Sequence, residues 1–73
     1  MANIVKVIEV IAESDQSWEQ AAQDALMHAS RTIRNIKSIY CEDFQGVIQN
    51  GKIAYYRLNA KISFVIEEGD HAG

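Results

Sequence analysis

The segment IAYYRLNAKISFVIEE, residues 53–68, alternates so regularly that its period of two predicts a β-strand. One face of this strand carries the side chains of Tyr56, Leu58, Ala60, Ile62, Phe64 and Ile66. The opposite, half-polar face carries Tyr55, Arg57, Asn59, Lys61, Ser63 and Val65. The fold is therefore decided by what covers each of these two faces.

The preceding segments predict a strand, a helix and a second strand. Residues 3–12, NIVKVIEVIA, have apolar side chains on both faces, which indicates a strand covered on two sides. Ser17 and Gln20 have the spacing of a capping box, so the helix is expected to begin at Trp18. Its apolar stripe recurs at steps of three and four and consists of Trp18, Ala22, Ala25, Ala29, Ile33 and Ile36. Residues 38–48 form a further strand, and QNG at 49–51 predicts a tight hairpin into the last one.

The predicted element order is β-α-β-β, in the α+β class. The hairpin and the helical connection favour a three-stranded antiparallel sheet packed on one helix, with the third strand between the other two. One helix covers only one face of such a sheet. The second face, with Tyr55, Arg57, Asn59 and an apolar row of the first strand, must meet water or another chain.

The chain length makes association the expected source of additional stability. The 73 residues allow a single domain, 1–73, whose core is marginal on its own. Cys41 is the only cysteine, so an internal disulfide is impossible, and with His28 and His71 it gives too few ligands for a Cys/His zinc site. Residues 69–73 are expected to form a frayed tail.

Composition excludes several partners and functions. A formal net charge of −3 without a run of Lys or Arg argues against nucleic acid, and no apolar stretch reaches the roughly 20 residues of a membrane span. A single thiol and the lack of a secretory signal favour the cytoplasm. No Cys-His-acid or Ser-His-acid set is expected to assemble, so the protein is predicted not to be an enzyme, and Cys41 is expected to be a buried, inert thiol.

Two longer segments carry a family resemblance. VKVIEVIAESDQSWEQAAQDALMHASRTIRNI and GKIAYYRLNAKISFVIE together resemble the dodecins from about Val5 to Glu67. The shared features are the Lys-x-Ile-Glu strand, the loop ending in Ser-Trp-Glu, the Ala-rich helix with its Arg-Asn turn and the closing Lys-x-x-Phe strand. The resemblance implies the β-α-β-β fold and a hollow shell of twelve identical chains, in which the second sheet face lines subunit contacts and ligand pockets. Flavin-binding members stack two isoalloxazine rings between symmetry-related tryptophans and act as flavin stores rather than enzymes.

The resemblance also implies a ligand site with altered chemistry. It places the stacking tryptophan of the family at Ser38 and its ring-binding glutamine at Arg57. Ser38 has no flat aromatic face, so the usual flavin sandwich is not expected. Arg57 suits the phosphate of a flavin nucleotide such as FMN, or of a coenzyme A type ligand; the alternative is an ion pair between subunits with an acidic residue such as Glu42. The predicted ligand-binding residues are Ser38, Tyr40, Gln45 and Arg57, although Tyr40 and Tyr55 are also typical of partly exposed strand positions.

A calcium-binding oligomer is the alternative function. SWEQAA and YRLNAKISF are similar to the calcium dodecins, which lack the tryptophan. Calcium takes six to eight oxygen ligands, and no segment has EF-hand spacing, so a site would have to be assembled across chains. The candidate ligands are Glu9, Glu13, Asp15, Glu42 and Asp43. The alternative for each is a solvated surface residue. A purely structural oligomer without flavin is the third hypothesis, and the sequence leaves the ligand open.

Overall fold

A computed structural model describes residues 3–66 and shows four elements. They are β1 (Ile4–Ser14), α1 (Trp18–Ser30), β2 (Ile36–Gln49) and β3 (Lys52–Ile66). The strands form one antiparallel sheet in the order β1-β3-β2, with α1 packed on one face. The predicted α+β fold and the central position of the last strand are both confirmed. The tail expected at residues 69–73 lies outside the described residues.

The hairpin between β2 and β3 forms where the Asn-Gly pair predicts it. Asn50 and Gly51 have φ angles of 54° and 76°, as the two central residues of a type I′ turn require. From this turn β3 pairs with β2 as far as Phe64, opposite Ile36, and it pairs with β1 from Tyr56 to Ile66. The central strand therefore has a partner on each side along most of its length.

The core lies between β3 and α1. Leu58, Ala60 and Ile62 of β3 are at most 1% exposed, and Ala21 of the helix is fully buried. Small alanine side chains allow the helix backbone to approach the sheet closely. The partly buried residues around this core are Val10, Trp18, Ala22, Ala25, Ile39 and Cys41. The predicted stripe is thus correct for its N-terminal half but omits Ala21, and Cys41 is half-buried rather than buried.

The helix begins at Trp18, as predicted, but its capping box is only half formed. The Ser17 hydroxyl accepts a hydrogen bond of 2.9 Å from the backbone N–H of Gln20. The side chain of Gln20 donates to Asp24, at 2.9 Å, instead of returning to the backbone of Ser17. One side chain therefore caps the helix start, and the other stabilises the first exposed turn.

The predicted extension of the helical stripe to Ile36 is wrong. The helix ends at Ser30, where the backbone N–H groups of Thr32 and Ile33 both donate to the carbonyl of Ala29. Asn35 then adopts a φ of 61°, which a helix does not allow, and Ile36 is the first residue of β2. The three-four spacing of apolar residues continues across this turn only by coincidence.

The prediction that the first strand is covered on two sides is wrong for the single chain. Val5, Val7 and Ile11 are 55%, 54% and 67% exposed, because they point away from α1. We call the sheet surface opposite α1 the open face. It is formed by alternate residues of each strand, except where the register of β2 shifts between Glu42 and Gln45. It includes Val5, Val7, Glu9, Ile11 and Glu13 of β1, Tyr55, Arg57, Asn59, Lys61 and Ser63 of β3, and Ser38, Tyr40, Glu42 and Gln45 of β2. Within residues 3–66, no helix is long and apolar enough to cross a membrane.

Candidate functional site

Two cations on the central strand dominate the chemistry of the open face. Arg57 donates from Nε and Nη2 to the same Glu13 oxygen, Oε2, at 2.6 and 2.5 Å. Lys61 Nζ lies 3.4 Å from Glu42 Oε2 and 3.9 Å from Glu9 Oε2. The antiparallel register places Glu13 directly opposite Arg57 and Glu9 opposite Lys61, whereas Glu42 is opposite Asn59 and reaches Lys61 diagonally. Both cations are therefore paired with carboxylates of their own chain.

Within one chain, Arg57 has a different partner from the one expected between subunits. The sequence suggested an ion pair between subunits with an acidic residue such as Glu42, but Glu42 contacts Lys61 and Arg57 contacts Glu13. The side chains of Arg57 and Glu13 are 39% and 44% exposed. Solvent screens such a pair, so it stabilises the fold by only about 0–1 kcal/mol and leaves Arg57 open to competition from another anion.

Carboxylates outnumber cations in these contacts. Three glutamates surround Arg57 and Lys61, and a fourth acid, Asp43, accepts a hydrogen bond of 3.3 Å from Asn59 Nδ2. Asp15 is separate from them, in the loop between β1 and α1. Among residues 3–66 of one chain, no three His, Cys, Asp or Glu side chains are grouped so that they would hold a metal ion. A single chain therefore provides acidic ligands but does not gather them into a metal site.

The predicted ligand-binding residues all lie on the open face, but in two groups. Ser38 is opposite Ser63, and their hydroxyl oxygens are 2.5 Å apart; Tyr40, which is 61% exposed, follows two residues later. Gln45 is exposed and opposite Arg57. Ser63 and Arg57 are six residues apart on β3, which corresponds to roughly 20 Å along a strand. One chain therefore does not bring Ser38 and Arg57 together around one small ring.

Sequence reasoning missed an irregularity in β2 next to Gln45. Glu42 pairs with Asn59 and Gln45 pairs with Arg57, so Asp43 and Phe44 are together opposite the single residue between those two on β3. This is a β-bulge, and Asp43 adopts a φ of 56° within it. Asp43 alone is a weak sequence signal for a bulge, because Asp is only one of several residue types that tolerate a positive φ.

The bulge is connected to the start of the helix by Trp18. Its indole Nε1–H donates to the backbone carbonyl of Gln45, at 2.9 Å. The ring packs edge-on against Tyr56 and Phe44, with centroid distances of 4.8 and 6.0 Å. Trp18 is thus a packing residue of the helix face, and the open face has Ser38 at the position that the resemblance assigns to a stacking tryptophan.

Comparison with known proteins agrees with this geometry. The architecture is that of a small β-α-β-β protein with one sheet face uncovered in the single chain, and the family model for dodecins matches residues 4–67. The chain belongs to the dodecin family.

Two curated relatives extend over nearly the same length. The dodecin of Thermus thermophilus is 26% identical over 68 residues, which cover 93% of this chain and 99% of the relative. The calcium dodecin of Mycobacterium tuberculosis is 36% identical over 63 residues, which cover 85% and 87% of the two chains.

Solved structures of this family are similar to the whole described fold. The dodecin from Streptomyces coelicolor has a TM-score of 0.86 at 29% identity and covers 90% of this chain and 94% of its own. The Mycobacterium tuberculosis calcium dodecin, described as a calcium-chelating antigen with a novel calcium-binding site, has a TM-score of 0.77 at 28% identity, with coverage of 89% and 93%.

Proposed function

We propose that this chain is a single-domain subunit of a non-enzymatic, cytoplasmic homo-oligomer that binds or stores a small ligand between its open faces. The proposed assembly is a shell of twelve chains, as the family resemblance implies. The observation that carries the proposal is the apolar row of β1, in which Val5, Val7 and Ile11 are each more than half exposed. Exposed aliphatic side chains interspersed with ion pairs, as Glu9 lies between Val7 and Ile11 here, are typical of a surface that another protein chain covers.

The size of the core supports association. In the described part of the chain, the side chains that are both large and fully buried are Leu58 and Ile62, and the other buried apolar residues are alanines. Such a core buries little apolar area, so a domain of this size gains from a partner chain. Covering the β1 row would bury the remaining exposed half to two-thirds of three aliphatic side chains, and each would contribute about 1–2 kcal/mol.

The first ligand class is a flavin nucleotide, a flavin or a coenzyme A type molecule. Arg57 supports a ligand that carries phosphate, because its planar guanidinium can exchange the Glu13 carboxylate for another anion. Ser38 and Tyr40 of another chain in the assembly would border the remainder of the ligand. Riboflavin, which has no phosphate, is expected to bind more weakly than FMN.

Calcium is the second candidate, and the charge of the open face favours it. Glu9, Glu13 and Glu42 outnumber the two cations that they contact, and Asp43 adds a further carboxylate. The 36% identity to a calcium dodecin supports the same ligand class. Because one chain does not group these acids, the proposed calcium site takes its oxygen ligands from more than one subunit.

Native mass spectrometry of the purified protein without added ligand tests the assembly and the ligand together. The expected result is a particle of twelve 8.2 kDa chains, with any retained flavin, coenzyme or calcium visible as added mass. Ile11→Lys places a charge on the open face and should dissociate the particle, whereas Gln23→Lys adds the same charge on the exposed side of α1 and should not. A folded monomer at micromolar concentration would refute the proposal.

A further inference from the structure

The bulge in β2 determines which side chains of that strand reach the open face. Glu42 and Gln45 are three residues apart, so a regular strand would direct them to opposite faces. With Asp43 and Phe44 accommodated in the bulge, both pair with open-face residues of β3, namely Asn59 and Arg57. The presence of both Glu42 and Gln45 on the open face therefore depends on this bulge.

The bulge has little support from its own strand. β2 is an edge strand, so β3 is its only neighbour in the described sheet. Asp43 is held at a φ of 56°, a sparsely populated region for residues other than glycine. Such a conformation persists when surrounding contacts fix it, and here they come from the hydrogen bond between Asn59 and Asp43 and from Trp18.

Trp18 holds the C-terminal end of the bulge, at Gln45. Its indole N–H donates to the Gln45 carbonyl across 27 residues of sequence, and its ring is wedged against Tyr56 and Phe44. The neighbouring Ser17 hydroxyl accepts the backbone N–H of Gln20 and is not one of the groups that contact the ring. The contacts of the ring with Tyr56 and Phe44 thus hold the indole N–H beside the residues where the pairing of β2 with β3 shifts.

We infer that Trp18 is a positioning residue for the ligand site of the open face. Through the Gln45 carbonyl it stabilises the bulge that directs Gln45 and Asp43 to the side occupied by Arg57. The inference rests on the proposed function, since it assigns the residue that shapes the same site. It concerns the indole N–H in particular, in addition to the packing of the ring.

The test removes that N–H and preserves the ring. Trp18 is the only tryptophan, so growth of a tryptophan auxotroph on benzothienylalanine replaces it with an isostere that has sulfur in place of N–H. The control is Ser17→Ala, which removes a hydrogen bond of the same 2.9 Å length at the same helix start but makes no contact with the bulge. Trp18→Phe provides a second variant that retains an aromatic ring without the donor.

The first measurement is amide hydrogen exchange in the absence of ligand. Loss of one hydrogen bond should lower protection in residues 43–46 by about fivefold in both Trp18 variants. Ser17→Ala should lower protection in the first turn of α1 and leave residues 43–46 unchanged. If the bulge keeps its protection in the Trp18 variants, or loses as much in Ser17→Ala, the positioning role is refuted.

The second measurement is the affinity for FMN and for calcium chloride, by calorimetry. We expect the affinity of whichever probe binds the natural protein to fall in the Trp18 variants and to remain unchanged in Ser17→Ala. Unchanged affinity in all variants would overturn the connection between the bulge and the site. If the natural protein binds neither probe, the proposed ligands are wrong, whereas the exchange experiment still decides whether Trp18 positions the bulge.

Discussion

Replacing Glu13 with glutamine tests whether Arg57 can serve an anionic ligand. Arg57 donates two N–H groups to Glu13 Oε2, at 2.6 and 2.5 Å, with both side chains well exposed. Such a pair contributes about 0–1 kcal/mol, and a bound phosphate has to displace it. Glutamine preserves the shape and removes the charge. We therefore expect the affinity for FMN to rise by up to about fivefold in Glu13→Gln, which corresponds to 1 kcal/mol.

Calorimetric titration of FMN and riboflavin separates this effect from a general change in the pocket. Riboflavin lacks the phosphate, so its affinity should remain the same. Glu9→Gln is the matched control, because Glu9 lies 3.9 Å from Lys61, four strand positions from Glu13, and its loss leaves the Arg57 pair intact. Unchanged or weaker FMN binding in Glu13→Gln would show that Arg57 is not the anion contact. Weaker calcium binding in the same variant would support the acidic site.

Three further substitutions test the fold and the pocket. Leu58→Ala removes a side chain that is 1% exposed and should destabilise the protein by about 2–5 kcal/mol. An unchanged midpoint of unfolding in guanidinium chloride would contradict its core position. Gly51→Ala, at a φ of 76°, should cost about 1 kcal/mol, and more than Gly46→Ala, so equal midpoints would argue against the type I′ turn. Ser38→Trp with Arg57→Gln should raise riboflavin affinity by about 1–3 kcal/mol per stacked ring, measured by fluorescence quenching; submicromolar quenching by the natural protein would refute this account of Ser38.

The sequence predicts the fold well where the signal is local. The period of two in residues 53–66 identifies both faces of β3, and Asn50 with Gly51 locates the hairpin. The helix start also follows from short-range chemistry, because Ser17 caps it directly. The helix end does not, since Ile33 and Ile36 continue an apolar spacing that the turn at Asn35 interrupts.

The candidate site is less predictable because it depends on register and on distant contacts. The resemblance identified residues of the open face, but the partner of Arg57 follows from which residue of β1 lies opposite it. The bulge depends on a hydrogen bond between Trp18 and Gln45, 27 positions apart, and no periodicity reports such a contact. The local sequence pattern therefore predicts which face of the sheet is open, whereas the strand register determines which charged residues pair on it.

The geometry of the open face connects ligand binding with assembly. Within one chain, the position of Ser38 and that of Arg57 are separated by roughly 20 Å along the strands, with the Lys61 ion pairs between them. A ligand that uses both positions at close range must take them from different chains. Such a ligand binds the associated form and not the monomer, so it shifts the equilibrium towards the oligomer by mass action. The FMN affinity should consequently increase with protein concentration near the dissociation midpoint, while a ligand held by one chain would show no such dependence.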